Sequence, residues 1–250
     1  MGAGWRGGVV AAARAGAVLG LAAAALFGFG ALCVPLVPWR GLRVRLSGHL
    51  GRALGPASLR LLGVQVEGGE VPITAPAIYV CNHTSHLDVF LSAAMAPVGT
   101  SFVARRGLLL FPFFGLLYAL SGHLLISRSR PAVAIRALQR NAALVRREGL
   151  GVWILPEGTR SVDGRLKPEL KKGFVHLALA TGLPVVPVLF VGAHWPWPKG
   201  RWLSRPGRVE VVVLPAVDTA GWRAETAAAH CAQVHGLMAA ALPPDQRPRG

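Results

Sequence analysis

His83 and Asp88 are separated by four residues in the run Asn82-His83-Thr84-Ser85-His86-Leu87-Asp88, directly after the apolar segment Ala77 to Cys81. Across a strand-to-helix turn, a carboxylate at that spacing can fold back onto the imidazole. It then fixes one tautomer and leaves the other ring nitrogen to take a proton. Two plainer readings fit the same residues. Ser85 and Asp88 have the S-x-x-D spacing of a capping box, so Asp88 could do no more than secure a helix N-terminus. His83 and His86 could hold a metal, although no third or fourth ligand is evident nearby.

A second polar stretch, Pro156-Glu157-Gly158-Thr159-Arg160, follows the apolar run Val152 to Leu155. Gly158 lets backbone come close to a ligand, Arg160 offers a planar fork that pairs bidentately with phosphate, and Glu157 can accept hydrogen bonds from hydroxyls. The competing reading is a surface turn built by Asp163-Gly164 with a solvated arginine beside it. In a third stretch, Arg105 and Arg106 precede a strongly apolar segment and Arg128 follows a strand. These are either phosphate contacts beside an acyl-binding surface or charges flanking a core helix.

The elements that must position these residues alternate. Ala77 to Cys81, Ser101 to Ala104, His123 to Ile126, Val152 to Leu155, Pro184 to Val191 and Val209 to Leu214 each read as a buried strand. Arg43 to Leu62 has helical potential. Ala132 to Arg147 is an amphipathic helix, with Ile135, Leu138, Ala142 and Val145 on one face and Arg136, Arg140, Arg146 and Arg147 largely on the other. Phe174 to Ala180 and Ala220 to Ala241 supply two more helices. The succession predicts an α/β fold, a central mixed sheet flanked by helices, in which ligands gather at the carboxyl ends of strands.

The chain has 250 residues, enough for one sizeable domain plus an anchor. From Ala15 to Val37 no charge occurs, and a helix of that length crosses a bilayer at about 1.5 Å per residue. We therefore expect a membrane-anchoring segment at residues 1–40 and a single domain at 41–250; a signal peptide and an interfacial helix are the alternatives. Arg40, Arg43, Arg45 and Arg52 follow the apolar run, against Arg6 and Arg14 at or before its start, which places the long C-terminal part on the cytoplasmic side of the cell membrane. Hydrophobic residues make up 52% and charged residues 15%, a balance that again favours a membrane protein.

The net charge of +16 asks for an anionic partner. The basic residues are scattered, with no compact basic and aromatic signature, so nucleic acid is not expected. Cys33, Cys81 and Cys231 form no CxxC pair and read as small buried hydrophobes, and no metal site is expected. Trp195, Trp197, Trp202 and Trp222 are read as packing residues around a Pro-rich segment, the other possibility being an interfacial surface.

In their order along the chain, these pieces resemble the glycerolipid acyltransferase family typified by 1-acylglycerol-3-phosphate acyltransferases. His83 and Asp88 fall on its H-x-x-x-x-D motif. Arg105, Pro112, Gly115, Gly122 and Arg128 fall on its second block, Pro156 to Arg160 on its third, and Leu183 to Val188 on its fourth. The second block departs from the usual pattern: Arg105, Arg106 and Gly107 stand where a lysine and an acidic residue are common, and Ser127 stands where many members carry Asp. Those changes bear on the acceptor rather than on the reaction class.

The resemblance implies that residues 41–250 form an acyltransferase catalytic domain. It implies His83 and Asp88 as catalytic residues, with Glu157, Gly158, Thr159, Arg160, Arg105 and Arg128 binding substrate. The acceptor would be a lysophospholipid and the donor acyl-CoA or acyl carrier protein, with no other cofactor. The rival acceptors are glycerol 3-phosphate and another lysolipid such as a lyso-aminolipid. The rival class is a non-catalytic basic protein that binds membrane lipid.

Overall fold

A computed structural model describes residues 2–69, 71, 76–110, 114–126 and 131–249, with the backbone alone for 2–7, 26, 105, 114 and 131–138. Two helices open the chain, α1 (Gly2–Cys33) and α2 (Arg40–Leu61). The sheet then begins with β1 (Val64–Gly68) and β2 (Ile78–Cys81), followed by α3 (Asp88–Met95), β3 (Thr100–Arg105), a short 3-10 turn (Arg106–Leu110), α4 (Phe114–Leu120) and β4 (Leu124–Ile126). The remainder runs α5 (Pro131–Glu148), β5 (Gly151–Ile154), α6 (Gly173–Thr181), β6 (Val185–Val191), β7 (Gly207–Val213) and α7 (Ala227–Ala241).

The seven strands lie in the order β1-β7-β6-β2-β5-β3-β4. Only the β6 and β7 pair is antiparallel, so the sheet is mixed. Alternate residues of one strand feed different cores. Ile78 and Val80 of β2 pack with Val152, Phe174, Val175, Val185 and Val234, beneath α6 and α7. Tyr79 and Cys81 pack on the other face with Leu59, Leu91, Trp153, Val188 and Phe190, beneath α2 and α3. Burial on both faces is why these strands are unbroken apolar runs.

Two elements differ from the sequence reading. β1 was not expected, because it is a short edge strand whose Gln65 and Glu67 alternate outward between Val64 and Val66. The last helix starts at Ala227 rather than Ala220. Its expected first turns are bent instead, with Asp218 Oδ1 accepting the Ala220 N–H at 3.0 Å and Trp222 stacked on His230.

The apolar helix α1 is no loose tether. Its Val18 joins Leu59, Leu62 and Val64 in the α2-side core. Over Gly8–Cys33 it is long and apolar enough to cross a membrane, and only 24% of its most apolar window is buried in the protein.

Candidate active site

Strand register brings the two polar stretches together. In the parallel pair β2 and β5, Val80 lies opposite Ile154, and the chain leaves both strands at the same edge. His83 and Glu157 are each three residues further on. The turn at 156–161 then brackets His83: its N–H donates to Glu157 Oε1 at 2.6 Å, and its carbonyl accepts the Ser161 N–H at 2.8 Å. From the β6 side, the Asn82 amide donates to the Phe190 carbonyl at 3.2 Å and accepts the Phe190 N–H at 2.8 Å. The loop carrying His83 is thus pinned to both neighbouring strands.

Asp88 is 1% exposed, and its Oδ2 lies 2.8 Å from His83 Nδ1. The same oxygen accepts the backbone N–H groups of Thr84 at 2.8 Å and Ser85 at 2.9 Å. Helix α3 begins at Asp88 with Leu87 at its N-cap and no side-chain cap bond, so Asp88 closes the turn at 84–88 and orients the imidazole rather than completing a capping box. Three donors converging on one oxygen hold the carboxylate in place. His83 retains 21% side-chain exposure, and its Nε2 is left to exchange a proton.

His86 is turned away from His83 toward Arg160, whose Nη1 donates to His86 Nδ1. It also packs on Trp197, with the rings tilted and their centroids 5.1 Å apart. Burial, then the Arg160 charge, lowers its pKa to about 4, against the weaker opposite pull of Asp88. The neutral ring therefore accepts from the guanidinium and holds it beside the site. The metal reading gave the two histidines a common ligand; the structure gives them Asp88 and Arg160 instead.

Glu157 has a different place from the one expected. It is 2% exposed, with Oε1 on the His83 N–H and Oε2 accepting the Lys167 N–H at 3.3 Å. Burial pushes its carboxyl up to about 8; the backbone bond from His83 opposes this and Asp88 adds to it. Its side chain faces inward, onto the His83 N–H. Gly158 turns the chain back with φ 77°, a left-handed conformation suited to glycine.

Outside this framework lies a cleft of about 310 Å³ whose lining includes Thr159, Arg160, Arg165, Lys167 and Lys199. Lys199 reaches it from the segment between β6 and β7, its Nζ donating to the Arg160 carbonyl at 3.3 Å. Arg165 and Arg249 at its rim are engaged, the first with the carbonyls of Pro244 and Arg247 and the second with Asp163. A concave surface with several cations suits a phosphate-bearing ligand.

The backbone of Arg105 ends β3 at the same edge of the sheet, opposite Ile126. Arg128 lies outside the described residues, as do Pro112 and Ser127. Sequence reasoning passed over Asn82, Ser161, Lys167 and Lys199. Asn82 alone left a local sign, an amide at the end of an apolar strand; the others arrive through long-range contacts.

A histidine paired with a carboxylate at the carboxyl edge of an α/β sheet, next to a cationic cleft, is the arrangement expected of a group-transfer enzyme. A family model described as Acyltransferase matches residues 63–191. The 1-acyl-sn-glycerol-3-phosphate acyltransferase of Limnanthes alba is 38% identical over 223 residues, covering 89% of this chain and 79% of that protein. The protein of that name from Escherichia coli K12 is 31% identical over 213 residues, covering 82% and 84%. The crystal structure of the 1-acyl-sn-glycerophosphate (LPA) acyltransferase PlsC from Thermotoga maritima superposes with a TM-score of 0.63 at 26% identity, covering 76% of each chain. The chain belongs to the 1-acylglycerol-3-phosphate acyltransferase family of glycerolipid acyltransferases, and it is an acyltransferase.

Proposed function

We propose that this enzyme transfers an acyl group from acyl-CoA or acyl carrier protein to the free hydroxyl of 1-acyl-glycerol 3-phosphate, giving phosphatidic acid. The observation that carries the reading is the 2.8 Å contact between His83 Nδ1 and Asp88 Oδ2, on a loop where the His83 carbonyl accepts the N–H of Ser161 in the wall of the cationic cleft. His83 Nε2 takes the proton as the acceptor hydroxyl oxygen bonds to the thioester carbonyl carbon, and Asp88 stabilises the resulting imidazolium. Collapse of the tetrahedral adduct breaks the C–S bond, and the departing thiolate receives that proton. The substrate hydroxyl is itself the nucleophile, so no serine or cysteine nucleophile and no cofactor beyond the acyl donor is required.

Arg160, Thr159 and the Gly158 turn bind the acceptor phosphate, with Arg105 and Arg128 assisting. Glu157 acts by holding His83. The exposed apolar length of α1 anchors the enzyme in the cell membrane, with the catalytic domain on the cytoplasmic side. Membrane fractions carrying His83→Ala or Asp88→Asn, assayed with lysophosphatidic acid and acyl-CoA, test the proposal. A rate loss of about 10²–10⁴-fold is expected; near-wild-type rates at normal expression would reject it.

A further inference from the structure

The segment between β6 and β7 holds two tryptophans that the packing expectation does not explain. Trp197 is packed, stacked on Phe90 and tilted against His86. Trp195 is 68% exposed and Trp202 93%, with Leu203 beside it at 36%. Isolated exposed hydrophobes are ordinary, but a loop built to display them is not.

This loop is held in shape. Arg205 N–H donates to the Pro196 carbonyl at 2.9 Å, Trp197 Nε1 to the Arg201 carbonyl at 2.9 Å, and Arg201 N–H to the Pro198 carbonyl at 3.3 Å. Its two ends touch, for a Cβ on Gly207 would meet Pro196 Cγ at 2.6 Å. Trp202 is therefore presented by a closed, proline-stiffened loop, and ordering it on a partner costs little entropy.

Charge and position identify the partner. Residues 192–208 carry Lys199, Arg201, Arg205 and Arg208 and no acidic residue. Exposed tryptophan and leucine among arginines and lysines is the composition of a surface that enters the headgroup region of an anionic bilayer. The loop also lies next to the anchor helix. A Cβ on Gly63 would meet Arg14 Nη1 of α1 at 2.8 Å and Pro206 Cγ at 3.3 Å, so α1 and the loop's end converge on the turn after α2. On α1 the residues Val9, Val10 and Leu19 are at least half exposed.

We propose that the 195–205 loop is a second membrane contact, seating Trp202 and Leu203 in an anionic lipid surface beside α1. Trp197 of the same loop packs on His86, the partner of Arg160, so seating the loop sets the cleft at the depth of lipid headgroups. The link to catalysis rests on the acceptor being a lysophospholipid, as proposed above; the docking itself does not.

Cys33, Cys81 and Cys231 are all buried, so a nitroxide introduced through Trp202→Cys labels the full chain selectively. In vesicles of equimolar phosphatidylcholine and phosphatidylglycerol, the label at 202 is expected to become accessible to oxygen and shielded from a water-soluble nickel chelate. A label at exposed position Ala224, placed by Ala224→Cys, is expected to remain accessible to the chelate. Trp202→Ser combined with Leu203→Ser is expected to raise the KM for vesicle-borne lysolipid about tenfold and to leave turnover of a short-chain, water-soluble lysolipid unchanged. A label at 202 as exposed to the chelate as the one at 224 overturns the docking and leaves the acyl-transfer reading intact. A shielded label in a chain that transfers no acyl group would do the reverse.

Discussion

Two clusters in this chain bring an arginine to a histidine, and they are built in opposite ways. At the sheet's carboxyl edge, Arg160 donates to the side chain of a neutral His86, while the neighbouring His83 is partly open and paired with Asp88. Between α2 and the turn before β4, Arg40 donates through Nε to the Gly122 carbonyl and through Nη2 to the His123 carbonyl at 3.0 Å. Arg43 likewise serves the carbonyls of Leu120 and Val37. His123 is half-buried, its pKa lowered to about 3 by burial and then by Arg40. The first cluster pairs side chain with side chain beside a cleft; the second ties the opening helices to the sheet through main-chain carbonyls. Residue type and net charge do not distinguish the two tasks, whereas partner and exposure do.

The difference is sharpest in variants that separate rate from stability. His83→Ala removes the base and little packing, so the loss of about 10²–10⁴-fold in kcat/KM should come with an almost unchanged Tm. Arg40→Ala should do the opposite. It strands the Gly122 and His123 carbonyls, a loss of roughly 1–3 kcal/mol, while turnover per folded molecule stays near wild type. Thermal unfolding and single-time-point activity on the same preparations read both quantities. A stable but inactive Arg40→Ala would place α2 in the catalytic machinery and erase the contrast.

How far this division shows in the sequence depends on the range of the contacts. The strands around the site read clearly because β2, β5 and β6 are buried on both faces, which forces continuous apolar runs. β1, alternating at the edge, gives only a faint signal. His83 and Asp88 were legible because their contact is local. The orientation of Glu157 was not, since it depends on the alignment of Val80 with Ile154, and that is settled between strands far apart in sequence. Lys199 enters the cleft only because β6 lies beside β2, which no local pattern announces. The arginines of α2 were read as topological charges, yet Arg40, Arg43 and Arg45 are also structural ties to carbonyls.

A smaller effect is expected from Arg160→Lys. The ammonium keeps the charge but loses the fork, so binding of a planar phosphate face weakens while proton transfer at His83 is untouched. The acceptor KM should rise about tenfold with kcat nearly constant. An unchanged KM would remove Arg160 from the phosphate site and leave Lys167 or Lys199 to supply the cation.

The last expected effect is a tilt in pH dependence at Glu157. Its folded pKa of about 8 lies above the ordinary 4.5, so between those values the folded chain keeps a proton that the unfolded chain releases. Folding is then favoured fully below about 4.5 and loses that contribution as pH rises to about 8. Glu157→Gln cannot ionise, but it retains an oxygen for the His83 N–H. The Tm difference, variant minus wild type, should therefore climb across this window and level off beyond it. His86 and His123 titrate in both proteins and cancel in the difference. The mismatch between the glutamine NH₂ and the Lys167 N–H adds only an offset independent of pH. A flat difference from pH 5 to 8 would mean that Glu157 is ionised where it supports His83, and that the buried edge of the site is held by charge rather than by a neutral acid.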